Sequence, residues 1–356
     1  MNLHNLLEPP NLIRHFHKHP PEGFTSVAYD GVPAFSTDFD LFTTLEPEVR
    51  RRVDALPLAR WWQRFMVPTT CFIGTTVSEY ALFPRDTTPE ELVRGVMSRL
   101  APDYPFVIIK DIPTEATLVG EAALSYSRRL ADACRKAGFV LVHGQALAFV
   151  PIDFGSTDEY MSRLSRARRK NVRRKLRGLG TLQVEAIPTG DARFADETFL
   201  AALYALYRNV YAQSEIHFDL LTAAFFRAVL QDGSVNGIVF VYRAGGALIG
   251  YNLCLGEKGM LIDKYVGFAY PEARHHDLYT ISWFQNLAYA LERGFRYYVA
   301  GWTDPEIKRH LGARFTFTLH AVYVRNPFVR TVLRPFKPLF ESDRHWHTAH
   351  VADAHS

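Results

Sequence analysis

The chain has 356 residues, 48% of them hydrophobic, which is ample for a large core, excludes global disorder and predicts two domains. Its 3 cysteines, Cys71, Cys134 and Cys254, are far apart in the sequence, which excludes a disulfide framework and a zinc site and indicates buried small side chains. The formal net charge is +4, but residues 161–177 alone carry nine cations and no acid, so the positive charge is local.

The two ends of the chain and its hydrophobic runs predict a cytoplasmic protein. The first residues lack the long apolar core of a signal peptide, and no run of about 18 apolar residues could span a membrane. Residues 1–22, rich in Pro and His, are expected to form a flexible arm. The polar, His-rich residues 341–356 are expected to form a disordered tail.

Residues 23–155 alternate strand and helix patterns and predict an N-terminal domain. Helices are predicted from Thr88 to about Leu100, with Pro in the first turn, and from Gly120 to Lys136. The predicted strands lie in FTSVAYDGVPAFST, which turns at Asp30-Gly31, and in MVPTTCFIGTTV, EYALF, PFVIIKDI and FVLVHGQALAFV.

A basic helix is predicted over residues 156–180. Ser156 and Glu159 have the spacing of a capping box, the apolar residues recur on one helical face, and glycines end the segment. The cations therefore project toward solvent or a ligand. Four interpretations stay open: binding of a nucleic acid such as tRNA, binding of CoA phosphates, contact with an anionic membrane surface, or a solvated linker between the domains.

Residues 181–340 predict a C-terminal domain. In chain order they contain the strand TLQVEAI, two helices within 196–230, a meander of strands over 235–268, and a helix from Asp277 to about Arg293. The strand FRYYVAG, a short helix in DPEIKRHLGA, the strand FTFTLHAVYV and a terminal helix follow.

Two parts of the chain have the same order of elements. PFVIIKDI, a helix, Gly138-Phe139 and a strand in the first half correspond to MLIDKYVGF, a helix, Gly294-Phe295 and a strand in the second. The Gly-Phe pairs are 156 residues apart, near half the chain. This spacing indicates a duplicated β–α–β unit.

Three segments together resemble the FemAB-like branch of the GNAT acyltransferase superfamily. LSRARRKNVRRKLR at 164–177 is similar to the basic helix of that branch, and LYTISWFQNLAYALERGFRYYVAG at 278–301 to its main helix and strand. DPEIKRHLGA at 304–313 is similar to its acidic-x-Lys-x-x-x-Gly segment, with Lys308 and Gly312 in place. The resemblance implies an α/β (α+β) fold of tandem GNAT-like domains, each a mixed central sheet flanked by helices, with the active cleft chiefly in the C-terminal domain.

The resemblance implies that the reaction occurs where two parallel strands, MLIDKYVGF and FRYYVAG, separate. Acyl transfer to an amine needs a proton acceptor and stabilisation of an oxyanion. Asp263, Glu306 and Lys308 are the candidate catalytic residues, the two carboxylates as bases and Lys308 as a ligand of phosphate or carboxylate. The alternatives are a structural ion pair for Asp263 and Lys264, which strand alternation sends to opposite faces, and a solvated helix end for Glu306 and Lys308.

Donor phosphates are expected at the start of the main helix, because backbone N–H groups at a helix N-terminus attract anions. The loop there, PEARHHDLYT, lacks the glycines of acetyl-CoA-binding GNAT enzymes, and its paired histidines are not expected to bind a metal. A solvated loop is the alternative. Tyr265, Trp302 and Asp304 are candidates for substrate binding. The candidates for donor binding are Gly267, Arg274, His275, His276, Arg169 and Arg173.

Three functions are open at this point. The first is an N-acyltransferase that moves an acyl group from acyl-CoA or a carrier-protein thioester to a small-molecule or peptide amine. The second, favoured by the basic helix, is an aminoacyl-tRNA-dependent transferase of FemAB type acting on a peptidoglycan-like or small-molecule amine. The third is a non-catalytic binding module. In both enzymes the donor is a co-substrate, so no permanently bound cofactor is expected.

Overall fold

The computed structural model describes residues 2–41, 51, 67–214 and 217–333. The chain divides into two compact units. Unit one takes its residues from Met1–Leu7, Pro20–Ala146 and Thr316–Ser356, and unit two from Glu8–His19 and Leu147–Phe315. The tail predicted at 341–356 lies outside the described residues.

The strands and helices are numbered along the chain. The strands are β1 Leu3–His4, β2 Thr25–Tyr29, β3 Val32–Asp38, β4 Thr69–Ile73, β5 Phe83–Pro84, β6 Phe106–Pro113, β7 Val140–Pro151, β8 Leu182–Pro188, β9 Gly237–Ala244, β10 Ala247–Glu257, β11 Met260–Phe268, β12 Tyr297–Gly301 and β13 Arg314–Val324. The helices are α1 Pro10–Lys18, α2 Pro89–Arg99, α3 Glu121–Lys136, α4 Thr157–Ser162, α5 Arg166–Leu176, α6 Glu197–Gln213, α7 Ala223–Leu230, α8 Glu272–His275, α9 Leu278–Glu292, α10 Pro305–Leu311 and α11 Pro327–Leu333.

Unit one contains a mixed sheet with the strand order β2-β3-β4-β6-β13-β7. β2 and β3 form the antiparallel hairpin predicted at Asp30-Gly31, and β4 runs parallel to β6. The helices α2 and α3 pack on this sheet through buried apolar side chains, among them Val96 of α2, Leu130 of α3 and Ile109 of β6. The apolar residues that recur along these strands and helices therefore form the core of this unit.

In unit two the strands of the sheet follow the order β7-β12-β11-β10-β9-β8. The strands β9, β10 and β11 form the predicted antiparallel meander, and β8 pairs antiparallel with β9. β11 then runs parallel to β12, and β12 runs antiparallel to the second half of β7. Both units thus contain a mixed sheet flanked by helices, which confirms the predicted fold class.

The duplication predicted around the two Gly-Phe pairs is wrong in its alignment. β6 and β7 are not neighbours, because β13 lies between them, whereas β11 and β12 are paired. The parallel pairs joined by a helix are β4–α2–β6 in unit one and β11–α9–β12 in unit two. A helix that ends at Gly before a strand is common in α/β proteins, so this junction does not show which strands pair.

The domain boundaries also differ from the prediction. The expected flexible arm at 1–22 contains α1, whose residues Leu12, Ile13 and Phe16 are fully buried, because its few apolar residues share one helical face. The basic segment 156–180 belongs to unit two and is not a linker. The described residues from Thr316 to Leu333 belong to unit one.

The three cysteines are free and buried, as their apolar surroundings in the sequence predict. Burial raises the pKa of the Cys71 and Cys134 thiols to about 12 and raises that of Cys254 as well. Thiols of this kind are small apolar groups in a core and are not nucleophiles.

A helix needs about 20 mostly apolar residues to cross a lipid bilayer. Within the described residues, no helix is both long enough and apolar enough to do so.

Candidate active site

The parallel strands β11 and β12 of unit two separate after three paired residues. Their pairing runs from Met260 with Tyr297 to Ile262 with Val299, while β11 continues to Phe268. Asp263 is the first residue of β11 beyond this pairing and is half-buried. The opening between the two strands is where the sequence predicted the reaction.

The two charged residues of β11 lie on opposite faces of the strand. The ammonium of Lys264 is 3.6 Å from a carboxylate oxygen of Glu8, and both side chains are buried. Lys264 therefore forms a structural ion pair, which is the alternative left open for one of the two residues. Asp263 faces the other side, toward α9.

Unit one also has a parallel pair that separates, but a side chain fills its opening. β4 and β6 pair as far as Ile73 with Ile109. The next residue of β6, Lys110, donates a hydrogen bond from its ammonium to the carbonyl oxygen of Thr75 (3.1 Å) and forms an ion pair with Asp111. This opening is closed by the protein's own amine, so unit two is the better place for a substrate.

Asp263 is held by a buried hydrogen-bond network. Its Oδ2 accepts hydrogen bonds from Asn286 Nδ2 of α9 and from the Tyr298 hydroxyl of β12, both at 3.0 Å. Asn286 Oδ1 in turn accepts from Asn252 Nδ2 (2.8 Å), and Asn252 Oδ1 accepts from the Tyr242 hydroxyl (2.7 Å). Four elements thus fix the orientation of one carboxylate.

Burial raises the pKa of Asp263 to about 6, because removal of water disfavours the charged form. The hydrogen bond from Tyr298 and the positive charge of Lys308 act in the opposite direction and keep the pKa from rising further. A carboxylate with a pKa near neutral can accept a proton from an amine and give it up again.

Lys308 reaches the same opening from α10. It is only 5% exposed although it lies on a short helix with exposed neighbours. A Cβ added to Gly301, the last residue of β12, would lie 3.8 Å from both Lys308 Nζ and the Asp263 carbonyl oxygen. The ammonium therefore lies at the carboxyl end of β12, beside Asp263.

A contact with α4 fixes the position of α10. The Tyr160 hydroxyl donates a hydrogen bond to the carbonyl oxygen of Leu311 (2.6 Å) at the end of the helix. Gly312 follows with a φ of 102°, and a Cβ there would lie 2.6 Å from the Tyr160 oxygen. Lys308 thus places a buried amine about one helical turn before Gly312, and only glycine fits at this helix end.

Residues 107–351 match a family described as FemAB-like, peptidoglycan biosynthesis/recognition. The chain belongs to the FemAB-like family. Its fold is similar to that of L-PGS from Bacillus licheniformis, with 11% identity, a TM-score of 0.53, and 95% of this chain and 98% of that chain covered. It is also similar to FemX, with 13% identity, a TM-score of 0.52, and 94% and 100% covered. No curated protein matches the chain.

Membership of the FemAB-like family confirms the resemblance seen in the three sequence segments. It also confirms the predicted enzyme class, an acyltransferase. The two solved structures are too distant in sequence to show more than the fold.

The other candidate residues around α10 of this FemAB-like chain are more exposed than Lys308. Glu306 and Asp304 are exposed, and Trp302 is half-buried. Tyr265 lies in an aromatic cluster with Tyr207, Phe225 and Phe226. Of the two candidate bases, only Asp263 shares the opening with Lys308.

The loop before α9 is largely exposed. Arg274 donates to Gln213 Oε1 (2.6 Å) and lies over the Tyr270 ring, and His275 is exposed. His276 is half-buried. These residues stay candidates for donor binding.

Gly267 has a packing role. A Cβ on this residue would overlap the Tyr251 ring and lie 2.8 Å from the backbone nitrogen of Tyr207, so glycine lets α6 lie close against β11. This contact explains the glycine without a ligand.

The two arginines proposed for donor binding on α5 differ in their surroundings. Arg169 donates to the carbonyl oxygens of Ser162 (2.8 Å) and Leu164 (3.4 Å), so it caps the end of α4. Arg173 is exposed. At the end of the same helix, Lys175 is 3.5 Å from Asp277, the residue that precedes α9.

Sequence reasoning missed the residues that hold Asp263. Asn252 and Asn286 are the signals that were available, because each is an amide inside an otherwise apolar strand or helix. A polar side chain at such a position must find a buried partner. Tyr298 and Tyr242 carried no such signal, since tyrosine is ordinary in a strand.

Proposed function

We propose that this FemAB-like chain transfers an aminoacyl group from an activated ester to an amine, with the reaction in unit two. The observation that supports the proposal is the pairing of Asp263, whose pKa is about 6, with the buried ammonium of Lys308 at the opening between β11 and β12. A base with a pKa near neutral and a fixed positive charge are the groups that acyl transfer to an amine requires.

In the proposed reaction the acceptor amine attacks the carbonyl carbon of the donor and forms a C–N bond. Asp263 takes the proton that the nitrogen loses, and the Lys308 ammonium stabilises the oxyanion of the tetrahedral intermediate. The bond from the carbonyl carbon to the ester oxygen then breaks, and the leaving oxygen takes the proton back from Asp263. One amide forms and one ester is consumed, with no change of oxidation state.

Family membership favours aminoacyl-tRNA as the donor. The FemAB-like branch includes the peptidoglycan aminoacyltransferases, and the nine cations of 161–177 supply the charge that RNA phosphates attract. An acyl-CoA or carrier-protein thioester, the first choice from the sequence, is the alternative, because the same two residues serve a thioester carbonyl. The proposed acceptor is the amine of a peptidoglycan-like peptide, and the proposed location is the cytoplasm, where both donors occur.

The donor is tested directly with the full-length protein. It is incubated with a lysine-containing peptidoglycan-precursor peptide and either tRNA charged with radiolabelled amino acids or a series of radiolabelled acyl-CoAs. Base-stable label on the peptide from charged tRNA is the expected result, with Asp263→Asn as the inactive control. Label from acyl-CoA alone would replace the donor by the alternative. Label from neither would overturn the proposed function.

A further inference from the structure

Unit two contains a cavity of about 320 Å³ apart from the opening between β11 and β12. It is bordered by the end of β7, by the junction of α4 and α5, and by the chain that leads from α10 into β13. Four arginines line it: Arg163, Arg168, Arg309 and Arg314. A cavity with this many guanidinium groups has the lining that an anion requires.

The charge of the lining is unbalanced. Among the lining residues one carboxylate, Asp153, accompanies the four guanidinium groups, and it forms an ion pair with Arg163. The lining as a whole therefore carries more positive than negative charge. Guanidinium groups bind phosphate through two parallel hydrogen bonds, which makes arginine the usual residue at phosphate sites.

The walls of the cavity are fixed by contacts described above and by one more. The Tyr160 hydroxyl and Gly312, which both line the cavity, hold the end of α10 against α4. Arg168 also donates a hydrogen bond to the carbonyl oxygen of Arg309 (3.4 Å), which joins the first turn of α5 to α10. Arg168 and Arg309 therefore lie on helices whose positions these contacts fix, and Arg314 is the first residue of β13.

The helix α10 connects this cavity to the candidate active site. Lys308 is buried and faces the opening beside Asp263, while the next residue, Arg309, lines the cavity. A phosphate bound among the arginines would be held next to the helix that presents the catalytic amine.

We infer that this cavity binds the phosphate groups of the nucleotide that carries the acyl group. The inference rests on the proposed function, because that function requires a nucleotide-bearing donor. Phosphorylated adenosine occurs at the 3′ end of tRNA and in CoA, so both donors offer the chemistry that the arginines recognise.

The test measures binding of inorganic pyrophosphate to the full-length protein by isothermal titration calorimetry at low salt. The unmodified protein is expected to bind one pyrophosphate per chain. The double variant Arg168→Ala/Arg314→Ala is expected to bind at least tenfold more weakly, because two of the guanidinium groups are lost. Arg208→Ala is the matched control, since Arg208 is exposed on α6 of the same unit and does not line the cavity; its affinity is expected to stay within twofold.

Two results would contradict the proposal that this cavity binds phosphate. One is the absence of pyrophosphate binding to the unmodified protein at millimolar concentration, and the other is equal loss of affinity in the cavity variant and in Arg208→Ala. If the double variant does not fold, the single variant Arg314→Ala carries the same comparison, because this side chain is exposed.

Competition then identifies the source of the phosphate. Displacement of pyrophosphate by a tRNA acceptor-stem hairpin assigns the cavity to tRNA, and displacement by CoA assigns it to CoA. Displacement by neither would overturn the assignment to the donor. Because pyrophosphate binding needs no turnover, a protein that binds it at these arginines but transfers no acyl group from either donor would contradict the proposed function and leave the phosphate site standing.

Discussion

Asp263 carries its charge at an energetic cost. Its pKa of about 6 in the folded protein lies above the value near 4 of an aspartate in an unfolded chain, so the folded state holds the proton more tightly. The free energy of unfolding therefore falls as the pH rises from about 4 to about 6 and is constant above that range. The loss amounts to about 3 kcal/mol, which the network around Asn286 and Tyr298 does not remove.

The variant Asp263→Asn should be more stable than the unmodified protein at pH 8, by up to about 3 kcal/mol. An amide keeps an oxygen that can accept from Asn286 and Tyr298 but has no charge to bury. The gain should shrink as the pH approaches 4, where the carboxyl group is neutral. Urea unfolding at pH 8 and pH 4 measures both values. The gain is the free energy of unfolding of the variant minus that of the unmodified protein. A gain at pH 8 that is smaller than the gain at pH 4 would contradict the raised pKa.

The pH dependence of transfer should report the same group. Because the base must be ionised, kcat/KM is expected to fall about tenfold per pH unit below pH 6. Lys308→Ala should lower the rate and move the midpoint of this fall to higher pH, since the lysine charge lowers the Asp263 pKa. Lys308→Arg keeps the charge and should leave the midpoint in place. An unmoved midpoint in Lys308→Ala would show that the two groups do not interact.

At the residue scale the sequence identified both members of this pair. Asp263 was conspicuous as a charge inside an apolar strand, and Lys308 matched a family segment. Glu306 was named beside them but is exposed, because a short helix turns by about 100° per residue and sends 306 and 308 to different sides. The sequence of one short helix does not show which of its faces packs against the rest of the protein. The catalytic roles of Asp263 and Lys308 stay predictions.

The position of α10 depends on one backbone conformation. Gly312 combines a φ of 102° with an approach of Tyr160 that leaves no room for a Cβ. Both features act at the end of a helix of only seven residues. A small change there should displace the helix that carries Lys308 and Arg309.

Gly312→Ala should destabilise the protein by more than Gly294→Ala. Both glycines have a positive φ, which costs alanine about 1–2 kcal/mol, but only at Gly312 does the new Cβ meet another group. The difference between the two variants in urea unfolding therefore isolates the steric contact. Adding Tyr160→Phe to Gly312→Ala should recover part of the loss. Equal losses in the two glycine variants would mean that α10 can move away without cost.

At the element scale the sequence predicted which segments are strands and helices better than which strands are neighbours. The meander, α9 and β12 follow from apolar periodicity, which is a local property. The pairing of β6 with β13 joins segments about 200 residues apart, and no local pattern encodes it. For this reason the sequence indicated a duplicated β–α–β unit but assigned its first copy to β6 and β7, whereas the paired strands are β4 and β6.

At the scale of the whole molecule, the chain segments that build each unit are not contiguous. Residues 8–19, which precede most of unit one in the chain, belong to unit two. There the α1 side chains are buried, and His15 lies 2.8 Å from Asp232. The composition of the first residues concealed this, because prolines and histidines are interspersed with the residues that pack.

Phe16→Ala should therefore destabilise unit two by about 3–5 kcal/mol, because it removes a fully buried aromatic side chain. Arg14→Ala is the matched control on the exposed side of the same helix and should have little effect. Thermal unfolding followed together with acyl transfer measures both. If Phe16→Ala matches Arg14→Ala in melting temperature, the N-terminal segment is not part of the folded unit.

The burial of the three cysteines has a practical consequence for spectroscopy. Maleimide reagents need an accessible thiolate, and thiols with a pKa of about 12 inside a core do not supply one near neutral pH. The native chain should therefore give almost no background labelling. A single cysteine introduced at the exposed position of Arg174 would accept one fluorophore, and its emission would report in real time when an RNA or a nucleotide approaches the basic helix.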